Sequence, residues 1–174
     1  MTVAVEVDQD PAFPDADPEA VARRILLRRL TDQPRSRAEL AEALAKRRVP
    51  VDVATQLLDR FTEVGLIDDE AFARAWVESR MRGKGLARRA LALELHRKGI
   101  DVDLAREVLD EVQPDDEEAA ARLVVQRKLR STRGLDPQVQ MRRLAGVLAR
   151  KGYPPSLAMR LAREAVAADD MPAN

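Results

Sequence analysis

The stretch GLIDDEAFARAWVESRMRGKGLARRALALELHRKGIDVDLAREVLDEV, residues 65–112, decides the fold. Its apolar residues recur at three- and four-residue spacing, as in Phe72, Trp76 and Val77, the period of a helix with one buried face. No run alternates with period two, so strands are not expected. Working outward, the segment at 20–61 shifted by 51 positions falls on 71–112. Val21 lands on Phe72, Ala22 on Ala73, Ile25 on Trp76 and Leu26 on Val77. Leu40 and Leu44 land on Leu91 and Leu95, and Leu57-Leu58 on Val108-Leu109. A third copy follows at a shift of 48 for its first helix (Val77 to Val125) and 53 for the other two. At that larger shift Leu95 falls on Leu148 and Lys98-Gly99 on Lys151-Gly152, the loop STRGLDP absorbing the difference.

Three copies of a three-helix unit are therefore expected. A unit of about 50 residues buries too little surface to stand alone, so copies should stack on their neighbours. The predicted fold is all-α, an elongated, curved array of three tandem three-helix repeats. Its divisions are a disordered acidic tail at 1–17, repeats at 18–66, 67–113 and 114–168, and a flexible tail at 169–174. Residues 1–17 hold five acids, no base and two prolines, too little apolar surface to repay ordering. Helix starts are marked by Asp17-Pro18 and Asp136-Pro137. Capping boxes are expected at Ser36 with Glu39 and at Asp115 with Glu118. Gly65, Gly99 and Gly152 are placed just past helix ends, where a left-handed residue is needed. Phe72 and Trp76, four apart, are expected in the core of the middle repeat.

Composition removes several chemistries. The chain of 174 residues has no cysteine and one histidine, His96, so thiolate metal sites, disulfides and cysteine nucleophiles are excluded. His96 lies near a helix end with no nucleophile at recognisable spacing. GKG at 83–85 lacks the frame of a phosphate loop and reads as a turn between helices. Asp68-Asp69 and Asp115-Asp116 read as helix caps rather than metal ligands. Three per cent aromatics argue against base-stacking single-strand readers. No catalytic site, metal or cofactor is expected, and no membrane span or signal peptide is visible, so the expected location is cytoplasmic.

The formal charge is zero, 30 basic against 30 acidic residues, but the distribution is uneven. Segments 21–48, 74–98 and 122–151 carry +6, +6 and +8, while 52–70 and 101–118 carry −5 and −8. Pairing at repeat junctions explains part of this. Segregation by helix fits a basic surface repeated along the chain and facing a polyanion or a filament.

GLIDDEAFARAWVESR (65–80), GLARRALALELHRKGID (85–101), RSRAELAEALAKRRV in the first copy and LARKGYPPSLAMRLAREA in the third resemble the RecX family of recombinase regulators. The resemblance spans residues 18–168. It implies a non-enzymatic modulator, usually an inhibitor, of the RecA recombinase. Such a protein would lie in the groove of the RecA–DNA filament and depress ATP hydrolysis, strand exchange and co-protease activity toward the SOS repressor. The implied partners are the RecA filament and the single-stranded DNA within it, with weak direct DNA binding. No membrane partner is implied, and a monomer is expected. By motif position Asp68, Asp69, Phe72, Ala73, Trp76, Gly85, Leu95, Gly99 and Ile100 are structural, while Arg80 and Lys98 are candidates for partner contact. Charge alone adds Arg74, Arg82, Lys84, Arg88, Arg89 and Arg97, and in the third repeat Arg142, Arg143, Arg150 and Lys151. In the first copy Lys46-Arg47-Arg48-Val49 puts Arg48 where the other copies have glycine, which loosens the alignment there. The alternatives are a stand-alone DNA-binding module of helix-turn-helix-like repeats and a helical scaffold for an unrelated protein.

Overall fold

A computed structural model describes residues 17–169. Among these the chain forms nine α-helices and no strand. They are α1 Pro18–Asp32, α2 Arg37–Ala45, α3 Val51–Glu63, α4 Asp69–Lys84, α5 Arg88–Arg97, α6 Val102–Asp110, α7 Pro114–Leu129, α8 Pro137–Arg150 and α9 Pro155–Asp169. The all-α expectation holds, three helices to each copy. No helix among the described residues is long and apolar enough to cross a membrane. The contacts divide the described chain into two compact units. One holds the chain up to Phe72 together with Lys98–Ile100; the other holds Ala73–Arg97 and everything from Asp101 on.

The repeat read from the sequence is a repeat of buried positions. In the first helices Ala22 and Leu26, Ala73 and Val77, and Ala121 and Val125 are all buried. In the second helices the pairs Leu40/Leu44, Leu91/Leu95 and Leu144/Leu148 are each fully buried. In the third helices Leu57-Leu58, Val108-Leu109 and Leu161-Ala162 are buried as well. Within the first unit, α1–α3 close a core around Leu26, Leu40, Leu44, Leu57 and Phe61. Within the second, α7–α9 close one around Val125, Leu144, Leu148, Tyr153 and Leu161.

Boundaries follow local chemistry. Asp17 accepts from the Glu19 amide (3.2 Å) and Asp136 from those of Gln138 and Val139, each ahead of a proline at the first helical position. Ser36 and Glu39 form the expected capping box. The box expected at Asp115 and Glu118 is not formed. Pro114, whose ring fixes φ and which has no amide hydrogen, takes the first helical position behind Gln113, so Asp115 is already inside the first turn of α7. The second helix of every copy is followed, two or three residues past its end, by a left-handed residue: Arg48 (φ 55°), Gly99 (φ 71°) and Gly152 (φ 91°). Each is followed by a buried residue, Val49, Ile100 and Tyr153. Val49 and Tyr153 return their amides to Leu44 and Leu148, five residues back. The alignment that Arg48 loosened is thus kept by backbone conformation.

Trp76 is corrected. It is half-buried, whereas Phe72 and Val77 on the same helix are each buried. The indole Nε1 donates to Glu94 Oε2 at 2.9 Å, and a wet edge satisfies that donor where a dry core would not. Of GKG, Gly83 lies inside α4, and Gly85 alone makes the turn at φ 60°. The tail expected at 1–17 lies outside the described residues apart from Asp17. Asp169, placed by composition in the tail at 169–174, ends α9 and accepts from Arg133 at 3.0 Å. Residues 170–174 lie outside the described chain.

Candidate functional site

The twelve cations singled out from the sequence divide by what answers them. Arg74 of α4 makes a forked pair with Glu111, at 3.0 and 2.7 Å. Its hydrogen bond holds the Glu111 carboxyl below the usual carboxylate range. Arg80 stacks on Trp76, 4.0 Å from the ring centroid, and its Nε donates to Glu94 at 3.1 Å. Lys84 lies 3.8 Å from the same Glu94, and Arg82 pairs with Glu78 one turn back on α4. Arg88 donates from its backbone amide and its Nε to the two oxygens of Glu117, at 2.8 and 3.1 Å. Lys98 binds Glu39 at 2.6 Å. These six form internal pairs, and several hold repeat elements in place.

Lys151 is different again. Its ammonium donates to the carbonyl of Lys84, and partial burial, with Arg127 and Lys84 nearby, lowers its pKa. The other five, Arg89, Arg97, Arg142, Arg143 and Arg150, are exposed and make no ion pair among the described residues. Arg89 and Arg97 both lie on α5. The remaining three converge on one face of α8.

That face is built simply. Val139, Arg142, Arg143, Gly146, Val147 and Arg150 follow helical spacing on a single side of α8 and, with Lys128 near the end of α7, line one shallow groove. The helix PQVQMRRLAGVLAR contains no acid, and no carboxylate lines the groove. Its opposite side is pinned by fully buried Leu144 and Leu148, so the arginines must point outward. Gly146 keeps the middle of the groove low. Three arginines spread over about 12 Å of α8, with Lys128 of α7 beside them and no internal counter-charge, suit an extended anionic surface. Lys128 was missed as a site residue. It belongs to the +8 segment, but its place beside Arg142 depends on how α7 and α8 pack, which charge arithmetic does not give. No aromatic side chain lines the groove, so stacking on bases has no platform there.

Between α7 and α9 charge is matched internally. Glu118 accepts from Arg160 of α9 and from Arg122, and these hydrogen bonds bring its carboxyl down to about 2. Glu164 joins the same cluster through Arg122 and Arg160.

Three family models match the chain in sequence order: the first three-helix domain of RecX at 22–61, the second at 68–109 and the third at 115–161. The regulatory protein RecX of Streptomyces coelicolor is 54% identical over 153 residues, covering 88% of this chain and 81% of that one. The chain belongs to the RecX family. The RecX of Mycobacterium avium is 44% identical over 160 residues, covering 91% of this chain and 92% of its own. Among solved structures, the crystal structure of RecX from Lactobacillus salivarius matches with a TM-score of 0.76 at 18% identity. It covers 86% of this chain and 97% of that one, a likeness of fold. The Streptomyces and Mycobacterium relatives are named regulatory proteins, and the RecX frame here consists of buried leucines, left-handed turns and paired charges. The unpaired α8 face is carried on that frame.

Proposed function

We propose that the chain modulates the RecA recombinase by occupying the groove of the RecA–DNA filament, without catalysis of its own. There it would depress RecA ATP hydrolysis, strand exchange and co-protease activity. The observation that carries this reading is the succession of all three RecX domains over residues 22–161. A tandem protein meeting a filament can contact several protomers at once, so weak contacts add through effective concentration. In this reading the α8 face, with Arg142, Arg143 and Arg150, supplies contact to an acidic filament surface or the enclosed phosphate backbone. Arg74, Arg80, Arg82, Lys84, Arg88 and Lys98 mainly hold the repeats.

The test is RecA ATPase on single-stranded DNA, with the chain added before and after filament formation. Inhibition that saturates is expected, and the triple variant Arg142→Glu/Arg143→Glu/Arg150→Glu should lose most of it while keeping its helical circular dichroism. ATPase and strand exchange unchanged by saturating wild-type chain would overturn the reading.

A second reading, a stand-alone DNA-binding module, is favoured by the absence of any carboxylate from the α8 groove. It predicts tight binding to naked DNA with a log–log salt slope of about −3 to −4, as expected if four phosphates are neutralised. A shallow slope and weak binding would dismiss it.

A further inference from the structure

The second compact unit holds an open cleft of about 510 Å³ bounded by α4, the end of α6 and α7. Its floor is apolar, with Val77 and Met81 from α4, Val108 and Val112 from the α6 end, and Val124 from α7. One whole face of α7 forms its wall: Asp116, Ala119, Ala120, Leu123, Val124 and Arg127. Those positions follow helical spacing over three turns, about 16 Å. Leu123 stands in the middle, half its surface exposed, an apolar side chain with water on one side. Ala119 and Ala120 beside it are small enough for another backbone to come close.

The rim charges give the cleft a direction. Arg74 is matched with Glu111 and Arg82 with Glu78 across or along its edge. The two charges at the ends of the α7 face have no ion pair among the described residues: Asp116 in the first turn and Arg127 in the last. The wall therefore runs from negative to positive over an apolar middle. A helix ordinarily carries acids in its first turn and bases in its last, to suit its dipole. Laid parallel to α7, such a helix would set like charges together. Laid antiparallel, it brings its basic end over Asp116 and its acidic end over Arg127. Nucleic acid is a poor occupant, since an apolar floor offers phosphates nothing and Asp116 repels them.

We propose that this cleft docks one amphipathic α-helix of the partner protein, antiparallel to α7, with apolar residues at i, i+3 or i+4, and i+7 seated over Ala120 and Leu123. This rests on the reading of the chain as a RecA modulator and makes the occupant a helix on the RecA surface. The cleft then supplies protein contact, while the α8 groove meets the anionic surface.

The experiment measures binding of labelled full-length chain to RecA filaments on single-stranded DNA by fluorescence anisotropy at physiological salt. Leu123→Asp alters an exposed side chain and should weaken binding about tenfold, the loss typical of one interface anchor. Asp116→Lys and Arg127→Glu, both on exposed positions, should each weaken it about threefold. Wild-type affinity for filaments in all three variants would overturn the cleft and leave the modulator reading standing. A wild-type chain that fails to bind filaments at all would bring down both. Loss of binding by Leu123→Asp together with loss of concentration-dependent self-association in sedimentation would assign the cleft to a second copy of this chain, and overturn the proposal.

Discussion

The start of α2 and the start of α5 occupy the same place in successive copies, yet different chemistry holds them. At α2 the Ser36 hydroxyl donates to the Lys98 carbonyl at 2.6 Å and accepts from the Glu39 amide. Glu39 in turn binds the Ser36 amide and the Lys98 ammonium, and the amide of Arg37 donates to Asp69 at 2.7 Å. At α5 the positions of Ser36 and Glu39 are Ala87 and Ala90, so the capping box is gone. The Ala87 backbone amide donates to the Lys151 carbonyl at 2.9 Å, and Glu117 takes the amide of Arg88 as Asp69 takes that of Arg37. The spacings 36 to 87, 37 to 88, 69 to 117 and 98 to 151 are the sequence shifts 51, 48 and 53. What repeats is where the following copy touches the helix start. The group that makes the contact is free to change.

Glycine is where the two sites should break hardest. A Cβ on Gly152 would lie 2.9 Å from the Ala90 amide nitrogen, whereas a Cβ on Gly99 would meet the Ala38 methyl. Both also have left-handed φ. Gly152→Ala and Gly99→Ala should each cost about 3 kcal/mol, strain plus overpacking, read from urea midpoints. The rescues should differ. Ala38→Gly removes the obstacle to Gly99→Ala and should recover about 1 kcal/mol, less the helical cost of glycine. Ala90→Gly cannot remove a backbone nitrogen and should not rescue Gly152→Ala. Equal rescue at both sites would mean that the copies are packed alike after all.

The next effect is the hydroxyl. Ser36 is fully buried, and Ser36→Ala leaves the Glu39 amide without its cap and the Lys98 carbonyl without that donor. A loss of about 1.5 kcal/mol is expected by thermal or urea unfolding. Ala87→Ser should change stability by under about 0.5 kcal/mol, because the backbone already answers Lys151. A gain at Ala87→Ser as large as the loss at Ser36→Ala would show that the second site is merely an incomplete copy of the first.

These contrasts mark what could be read from the residues. The buried skeleton was legible because Leu40/Leu44, Leu91/Leu95 and Leu144/Leu148 obey one period, and burial depends on period more than on neighbours. The Ser36 box was legible because both partners lie within four residues. Asp69 to Arg37 and Glu117 to Arg88 were not, since these carboxylates cap a helix 29 or more residues away; Asp69 was read as a cap of its own helix, and Glu117 carried no reading at all. Trp76 misled because its spacing from Phe72 matches a core face, while the indole nitrogen needs Glu94 at the surface. The basic segments were counted correctly, but whether a cation is answered depends on helices brought together by folding. Arg88 meets Glu117, and Arg142 meets no acid among the described residues.

Arg48 gives a smaller and opposite effect. It holds φ 55° where the other copies have glycine, a conformation costly for a side chain bearing Cβ. Arg48→Gly should stabilise the chain by up to about 1 kcal/mol in urea unfolding, reduced by the extra freedom glycine has when unfolded. A loss instead would mean that the Arg48 side chain, which has contacts of its own, contributes more than its backbone strain costs.

The smallest expected effect separates the two compact units by acid. Of the carboxyls held below their ordinary range, Glu118, Glu164 and Glu111 lie in the second unit, and Glu42, paired with Lys46, lies in the first. A folded pKa below the unfolded one gives stability present above about 4.5 and lost as pH falls; for Glu118 the loss runs down to about 2. Glu42, Glu111 and Glu164 are exposed and Glu118 is only partly covered, so screening keeps each contribution modest. Trp76, the one tryptophan, belongs to the second unit and reports on it. Between pH 4.5 and 2 the thermal midpoint read by tryptophan fluorescence should fall further than that read by far-ultraviolet circular dichroism, which averages both units. Glu118→Gln should flatten the fluorescence curve, and added salt should weaken the difference. If both probes fall together and Glu118→Gln changes neither, the Arg122, Arg160 and Glu118 cluster contributes no more to the second unit than the Lys46–Glu42 pair does to the first.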